Sequence, residues 1–242
     1  MPALSAIFAH PDDETFSIAG TVASLTRRGV ACSLFCATDG DAGRASGVSV
    51  SSREELGRVR RAELHEAARA LGFTPVVTPG YADGALAAAD QDALVGDVVR
   101  FLRETRPDVV VTFGPEGAPN LHRDHRTISR AATAAFFLAG LPTAYAEQLA
   151  NGGLAPHAAR RLLYVTWAPP ARGESGPHGV PEAIRVNVSA GLDTKRLAFE
   201  AHRTQHDHRP EFERVGLVPE EWFALASGVP FLAGATDIFA GL

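Results

Sequence analysis

Two short clusters of histidine and aspartate have the residue types and spacing that catalysis can use: His10-Pro11-Asp12-Asp13-Glu14 and His122-Arg123-Asp124-His125. Two imidazoles and a carboxylate drawn from such places can close three of the four positions around a zinc ion. The fourth then stays open for water, the arrangement of a catalytic rather than a structural site. A second carboxylate beside the ligands can serve as the base. Amide hydrolysis at neutral pH needs a strong nucleophile, and zinc lowers the pKa of bound water to about 7. Two neutral imidazoles and one carboxylate also leave the site net positive, which favours hydroxide and a tetrahedral oxyanion. The pattern points to a metal-dependent hydrolase.

The elements around the clusters decide whether they can meet. Apolar runs read as strands at Leu4 to Phe8, Ala31 to Ala37, Thr74 to Thr78, Val109 to Phe113, Leu162 to Trp167 and Ile184 to Val188. Amphipathic segments between them read as helices at about Glu14 to Arg28, Arg53 to Leu71, Gln91 to Glu104, Asp124 to Leu138 and Thr194 to His206. Gly29, directly after Arg27 and Arg28, marks the end of the first helix. This alternation predicts an α/β, Rossmann-like fold, a mostly parallel sheet with helices on both faces. Sites in such folds gather outside the carboxyl ends of the strands, and both clusters fall at that edge. Two irregular stretches, Gly40 to Ser52 and Ala168 to Pro181, read as long loops of the kind that form lids or substrate walls.

Each motif also has a plainer explanation. Asp12 or Asp13 could cap the helix that starts near Glu14, and His122 and His125 could be solvated loop residues. The coincidence of two complementary clusters at one sheet edge favours a metal site. His122 and His125, three apart at a helix start, would point to one side, and a helix N-terminus suits an anionic intermediate.

The background is that of an ordinary globular protein. The 242 residues are 45% apolar and 21% charged, enough for a single domain with ample core. A net charge of -5 gives no electrostatic reason to expect nucleic acid or an anionic membrane as partner. The N-terminus has no signal-peptide pattern, and no apolar stretch is long enough to span a bilayer, so a cytoplasmic location is expected. Cys32 and Cys36, on one face of a strand, would lie roughly 13 Å apart at about 3.3 Å per residue. A disulfide needs Cα atoms within about 7 Å, so buried free thiols are expected.

The run AHPDDETF, the helix RVRRAELHEAARALG, the turn YADGAL, the segment GPEGAPNLHRDHR and the late KRLAFEAHRTQ together resemble the zinc-dependent de-N-acetylases of the PIG-L/LmbE family. The resemblance runs over about residues 4–206, leaving 207–242 as a C-terminal extension of one deacetylase domain. It implies removal of an N-acetyl group from an N-acetylglucosaminyl substrate, a small sugar conjugate, with one Zn2+ per chain (or Fe2+ in the cell). It further implies that His10, Asp13 and His125 hold the metal and that Asp12 is the general base. His122 would stabilise the oxyanion or help protonate the departing amine, and Asp124 would orient a neighbouring imidazole. A homo-oligomer is compatible with the sequence.

The helix Arg53 to Leu71 adds a clue. Leu56, Leu64, Ala67 and Leu71 form an apolar stripe with Arg60 near its middle and Glu63 toward one edge. A charge there is costly unless it is paired or faces a cavity, so a buried Arg60–Glu63 pair is one reading. The resemblance supplies another, in which Arg60 contacts substrate. Asp83 is by type a turn residue, and by resemblance an acceptor for sugar hydroxyls. His202 and Gln205 match a family H-x-S-Q motif, with Thr204 for serine, and His202 is expected to buttress the site. Asn120 stands where several family members carry tyrosine or glycine. A two-metal phosphatase would need more ligands than these clusters supply. No G-x-G-x-x-G or P-loop pattern supports a nucleotide-binding module. A zinc hydrolase of another amide or ester of a small metabolite is the alternative.

Overall fold

The central strands form where apolar and β-branched residues run almost without interruption, because there the sheet is covered on both faces and no alternation is needed. The computed structural model describes residues 1–117, 120–150, 152–167 and 183–242. The second irregular stretch, Ala168 to Pro181, lies outside them. Among the described residues there are seven strands: β1 (Ala3–Phe8), β2 (Ala31–Cys36), β3 (Phe73–Val77), β4 (Val109–Phe113), β5 (Arg161–Thr166), β6 (Ile184–Asn187) and β7 (Glu220–Gly228). All five residues of β4 are buried. Longer helices are α1 (Asp13–Arg27), α2 (Arg53–Leu71), α3 (Gln91–Thr105) and α4 (Arg123–Leu138), followed by α5 (Ala146–Ala150) and α6 (Leu192–Ala201). Gly29 has φ 80° and ends α1 as expected.

The strands lie in the order β3-β2-β1-β4-β5-β7-β6. The first five are parallel, and β7 runs antiparallel to both β5 and β6. From β1 the chain winds outward to β3, and from β4 it winds the other way. The reversal opens a crevice between the carboxyl ends of β1 and β4, where ligands bind in sheets of this type. Helices α1, α2 and α6 pack together, and α3 packs on α4. Right-handed crossovers place these groups on opposite faces.

One expectation is corrected here. The last helix, expected over Thr194 to His206, stops at Ala201 and gives way to a tight 3-10 turn at Arg203–His208. Side-chain bonds divert it: His202 Nε2 meets Glu14 Oε1 at 2.8 Å, and Thr204 N–H donates to Glu63 at 3.1 Å. The first irregular stretch is indeed without helix or strand. It is tied to that turn by Ser46 N–H on Thr204 O and by Gln205 on Arg44 O. Both cysteines are buried and free.

Charged residues lock the frame. The buried ion pair Lys195–Glu221, 2.7 Å apart, is set into the side of α1. Glu221 accepts the N–H groups of Gly20 and Thr21, and Lys195 donates to Phe16 O. Gly20 has no room for a side chain, since a Cβ would sit 2.6 Å from Val188 Cβ. Arg161, fully buried at the start of β5, donates to the carbonyls of Val229, Pro230, Ile238 and Ala240. Its guanidinium also lies over the Phe231 ring. Arg161→Met should cost about 1–3 kcal/mol through carbonyls left without donors, read as a lower urea midpoint, with faster proteolysis after residue 228. Among the described residues no helix is long and apolar enough to cross a membrane.

Candidate metal and active site

The turn after β1 and the start of α4 face each other across the crevice. His10 lies just past β1, Asp13 opens α1, and His125 sits in the first turn of α4. Asp12 occupies the N-cap position of α1 but makes no side-chain cap. Asp13 reaches back instead, and its Oδ2 accepts the N–H groups of Ala9 (3.1 Å) and His10 (2.7 Å). The carboxylate therefore closes the turn that carries it. The His125 ring lies flat on Phe113, 3.9 Å between centroids, at the end of β4.

Three donor groups converge. His10 Nδ1 is 3.2 Å from His125 Nε2 and 3.4 Å from Asp13 Oδ2, and His125 Nε2 is 3.1 Å from Asp13 Oδ1. In a tetrahedral site with bonds of about 2.0–2.1 Å, ligand atoms stand about 3.3 Å apart. The three spacings are of that size, with His10 nearest one carboxylate oxygen of Asp13 and His125 nearest the other. A grouping of His10, His122 and His125 also brings one atom from each residue within 4.8 Å of the others. The set with Asp13 adds a carboxylate to the two imidazoles.

The other nitrogen of His10 is held as well. Nε2 lies 3.1 Å from Asp83 Oδ1 and 3.4 Å from Asp124 Oδ2. Asp124 is itself fixed by the N–H groups of Gly84 (2.7 Å) and Leu86 (3.2 Å), and Asp83 Oδ2 accepts from Ala42 N–H (3.0 Å). Carboxylates behind a ligating imidazole fix its tautomer and orientation. A third grouping that could hold an ion, His10 with Asp83 and Asp124, shares this nitrogen and is better described as one ring N–H between two acceptors.

His122 caps α4, with Nδ1 accepting the Asp124 N–H at 3.2 Å. A neutral ring in that role carries its proton on Nε2. Burial and the adjacent His10 and His125 hold its pKa below the usual imidazole value. The ring stands edge-on to His10 at 4.8 Å. Asn120 Oδ1 accepts the His122 N–H and shapes this turn. Asp12 lies beside the triangle, and burial pushes its carboxyl up to about 6 against the opposing charge of Arg60.

Arg60 is 4% exposed and directed into the site. It donates to Pro11 O (2.6 Å) and Gly40 O (2.9 Å), and its Nη2 lies 3.4 Å from Asp12 Oδ2. Gly40 and Gly43 wrap the guanidinium so closely that a Cβ at either would clash with it. The Arg60–Glu63 pair is not formed, because Glu63 accepts from Thr204 N and Oγ1. The eight residues expected to hold metal, catalyse or bind substrate thus line one crevice, with Arg60 and Asp83 engaged by protein groups. Glu14 was missed. Its Oε2 accepts the Asp12 N–H at 3.1 Å, and its place in the first cluster, next to Asp13, was the signal in the sequence.

The chain is similar to known proteins in both sequence and fold. The family model described as PIG-L, GlcNAc-PI de-N-acetylase, matches residues 5–136. A probable N-acetyl-alpha-D-glucosaminyl L-malate deacetylase 2 of Bacillus anthracis is 34% identical over 82% of this chain and 79% of its own. A 1D-myo-inositol 2-acetamido-2-deoxy-alpha-D-glucopyranoside deacetylase of Saccharomonospora viridis is 31% identical, covering 98% of this chain and 99% of its own. The structure of N,N'-diacetylchitobiose deacetylase from Pyrococcus horikoshii superposes with a TM-score of 0.73 at 24% identity, over 92% of this chain and 83% of that one. At that identity the likeness establishes the fold.

Proposed function

This chain belongs to the PIG-L, GlcNAc-PI de-N-acetylase, family, and we propose that it hydrolyses the N-acetyl group of a small N-acetylglucosaminyl conjugate. The observation that carries the reading is the triangle of His10, Asp13 and His125 with Asp12 beside it. We assign those three side chains as ligands of a single Zn2+, a site that Fe2+ also suits by donor type. When bound, the ion supplies a Lewis acid for the amide carbonyl and lowers the pKa of water to about 7.

The remaining work falls to side chains. Asp12 takes the proton of the attacking water, from a position fixed next to the ligand Asp13. The neutral His122 presents Nε2–H to the oxygen on which negative charge develops, a role that needs no change of protonation. Its Nδ1 is already in use by the α4 cap. Asp12, having gained a proton, is therefore the group that returns it to the departing amine. Asp124 and Asp83 keep the His10 ring turned toward the ion. Arg60 enters through the Asp12 turn that it holds.

The test is amine release from an N-acetylglucosaminyl conjugate and from an N-acetyl alkylamine without a ring, with metal measured in the same preparation. The conjugate should show kcat/KM at least about 10²-fold higher, because a held ring places the amide against the catalytic groups. Equal values for the two would overturn the sugar assignment and favour a hydrolase of another small amide. No release from either would overturn the deacetylase reading itself.

A further inference from the structure

The Asp12 backbone has φ 115° and ψ -24°, a conformation that a residue with a Cβ adopts at a cost of roughly 1–3 kcal/mol and keeps only when its surroundings over-determine it. We infer that a buried clamp on the Pro11–Asp12 peptide holds this conformation, and that Glu14 and His202 act through it as positioning residues for the base. The proposal rests on the assignment of Asp12 as base and adds to it the means by which the carboxylate is aimed.

The peptide is gripped at both of its polar atoms. Arg60 donates to its carbonyl, Pro11 O, at 2.6 Å, and Glu14 Oε2 accepts its N–H, that of Asp12, at 3.1 Å. These two atoms point in opposite directions from one rigid plane, and the rotation of that plane about the Asp12 N–Cα bond is φ. On the far side of Asp12, its own carbonyl accepts the N–H groups of Thr15 (2.9 Å) and Phe16 (3.0 Å), the first turn of α1. With both flanking peptides fixed, the direction of the side chain is fixed too, and it diverges from that of Asp13.

Each jaw is anchored in turn. Arg60 is held by Gly40 O. Glu14 is buried, and its Oε1 accepts from Thr15 Oγ1 (2.5 Å) and faces His202 Nε2 (2.8 Å). His202 is completely buried at the break after α6, and among the described residues its Nδ1 has no partner and Glu14 is the polar contact of its ring. A carboxylate two residues from Asp12 and one from Asp13 adds repulsion to a buried site. A buried pair of this kind is weak as a source of stability, since apolar residues of the same volume often serve as well.

The experiment compares Glu14→Ala and Glu14→Gln, each alone and combined with Asp12→Asn, reading kcat, KM and metal content. Glu14→Ala should lower kcat by about 10–10²-fold, the scale of a misplaced reacting group, with KM within about twofold and metal retained. Glu14→Gln, whose oxygen can still accept the Asp12 N–H, should recover most of the rate. In the Asp12→Asn background Glu14→Ala should cost nothing further, because two changes acting through one group are not additive. An unchanged kcat, a loss of metal, or a full additional loss in the Asp12→Asn background would each overturn the clamp. If Glu14→Ala does not fold, His202→Gln and His202→Leu replace it: the first should keep the rate and the second should lower kcat alone. Parental activity in Asp12→Asn would instead sink the base assignment. A crippled Asp12→Asn beside a normal Glu14→Ala would sink only the clamp.

Discussion

Asp12→Asn should lower kcat by about 10²–10⁴-fold, the range for a positioned acid–base group, while the purified protein keeps its metal. Asparagine retains the shape of the side chain and an oxygen for the Arg60 guanidinium, which lies 3.4 Å from the carboxylate. It also tolerates positive φ better than most residues, so the turn at φ 115° should survive. What it loses is the capacity to take a proton and return it. Rate constants and metal analysis on one preparation separate this from a binding defect, and near-normal turnover would remove Asp12 from the role.

The second large effect concerns the ligands. His10→Ala, Asp13→Ala and His125→Ala should each abolish stoichiometric metal, since an ion held by three side chains cannot afford to lose one. His122→Ala should keep the metal and lower kcat by about 10²–10³-fold, as for a lost oxyanion donor. Asp13 carries a further burden, because its Oδ2 accepts the N–H groups of Ala9 and His10. Asp13→Ala should therefore also lower the melting temperature, and Asp13→Asn, which keeps an acceptor, should lose metal with less damage to the fold. Metal retained in His125→Ala and lost in His122→Ala would reverse the two histidines.

The sequence made the crevice legible for a simple reason. His10 and His122 follow strands whose burial leaves unbroken apolar runs, and the reversal in winding between β1 and β4 sets those strands side by side. The direction of Arg60 was legible as well, because its place in the stripe of α2 follows from helical period alone. Its partners were not. Pro11 and Gly40 offer backbone carbonyls that no pattern announces, and Glu63 is taken by Thr204, 141 residues away. The positive φ of Asp12 was hidden for the same reason, since tertiary bonds impose it. Strand β7 was missed because nothing local marks it: no helix follows to complete an alternating unit, and its two neighbours come from earlier in the chain.

The place of β7 between β5 and β6 sets an order of events during synthesis on the ribosome. Among the described residues, β7 comes after the other six strands in sequence yet is an interior strand of the sheet, and β6 pairs only with β7. Until residues 220–228 emerge from the exit tunnel, β6 has nothing to pair with and the apolar edge of β5 stays open, the kind of edge that recruits other chains. Glu221 travels on the same strand, so α1 receives its lateral N–H acceptor only then. A nascent chain that already contains both His/Asp clusters thus still waits for residues 220–228 before the helix that bears Asp13 gains the Glu221 acceptor.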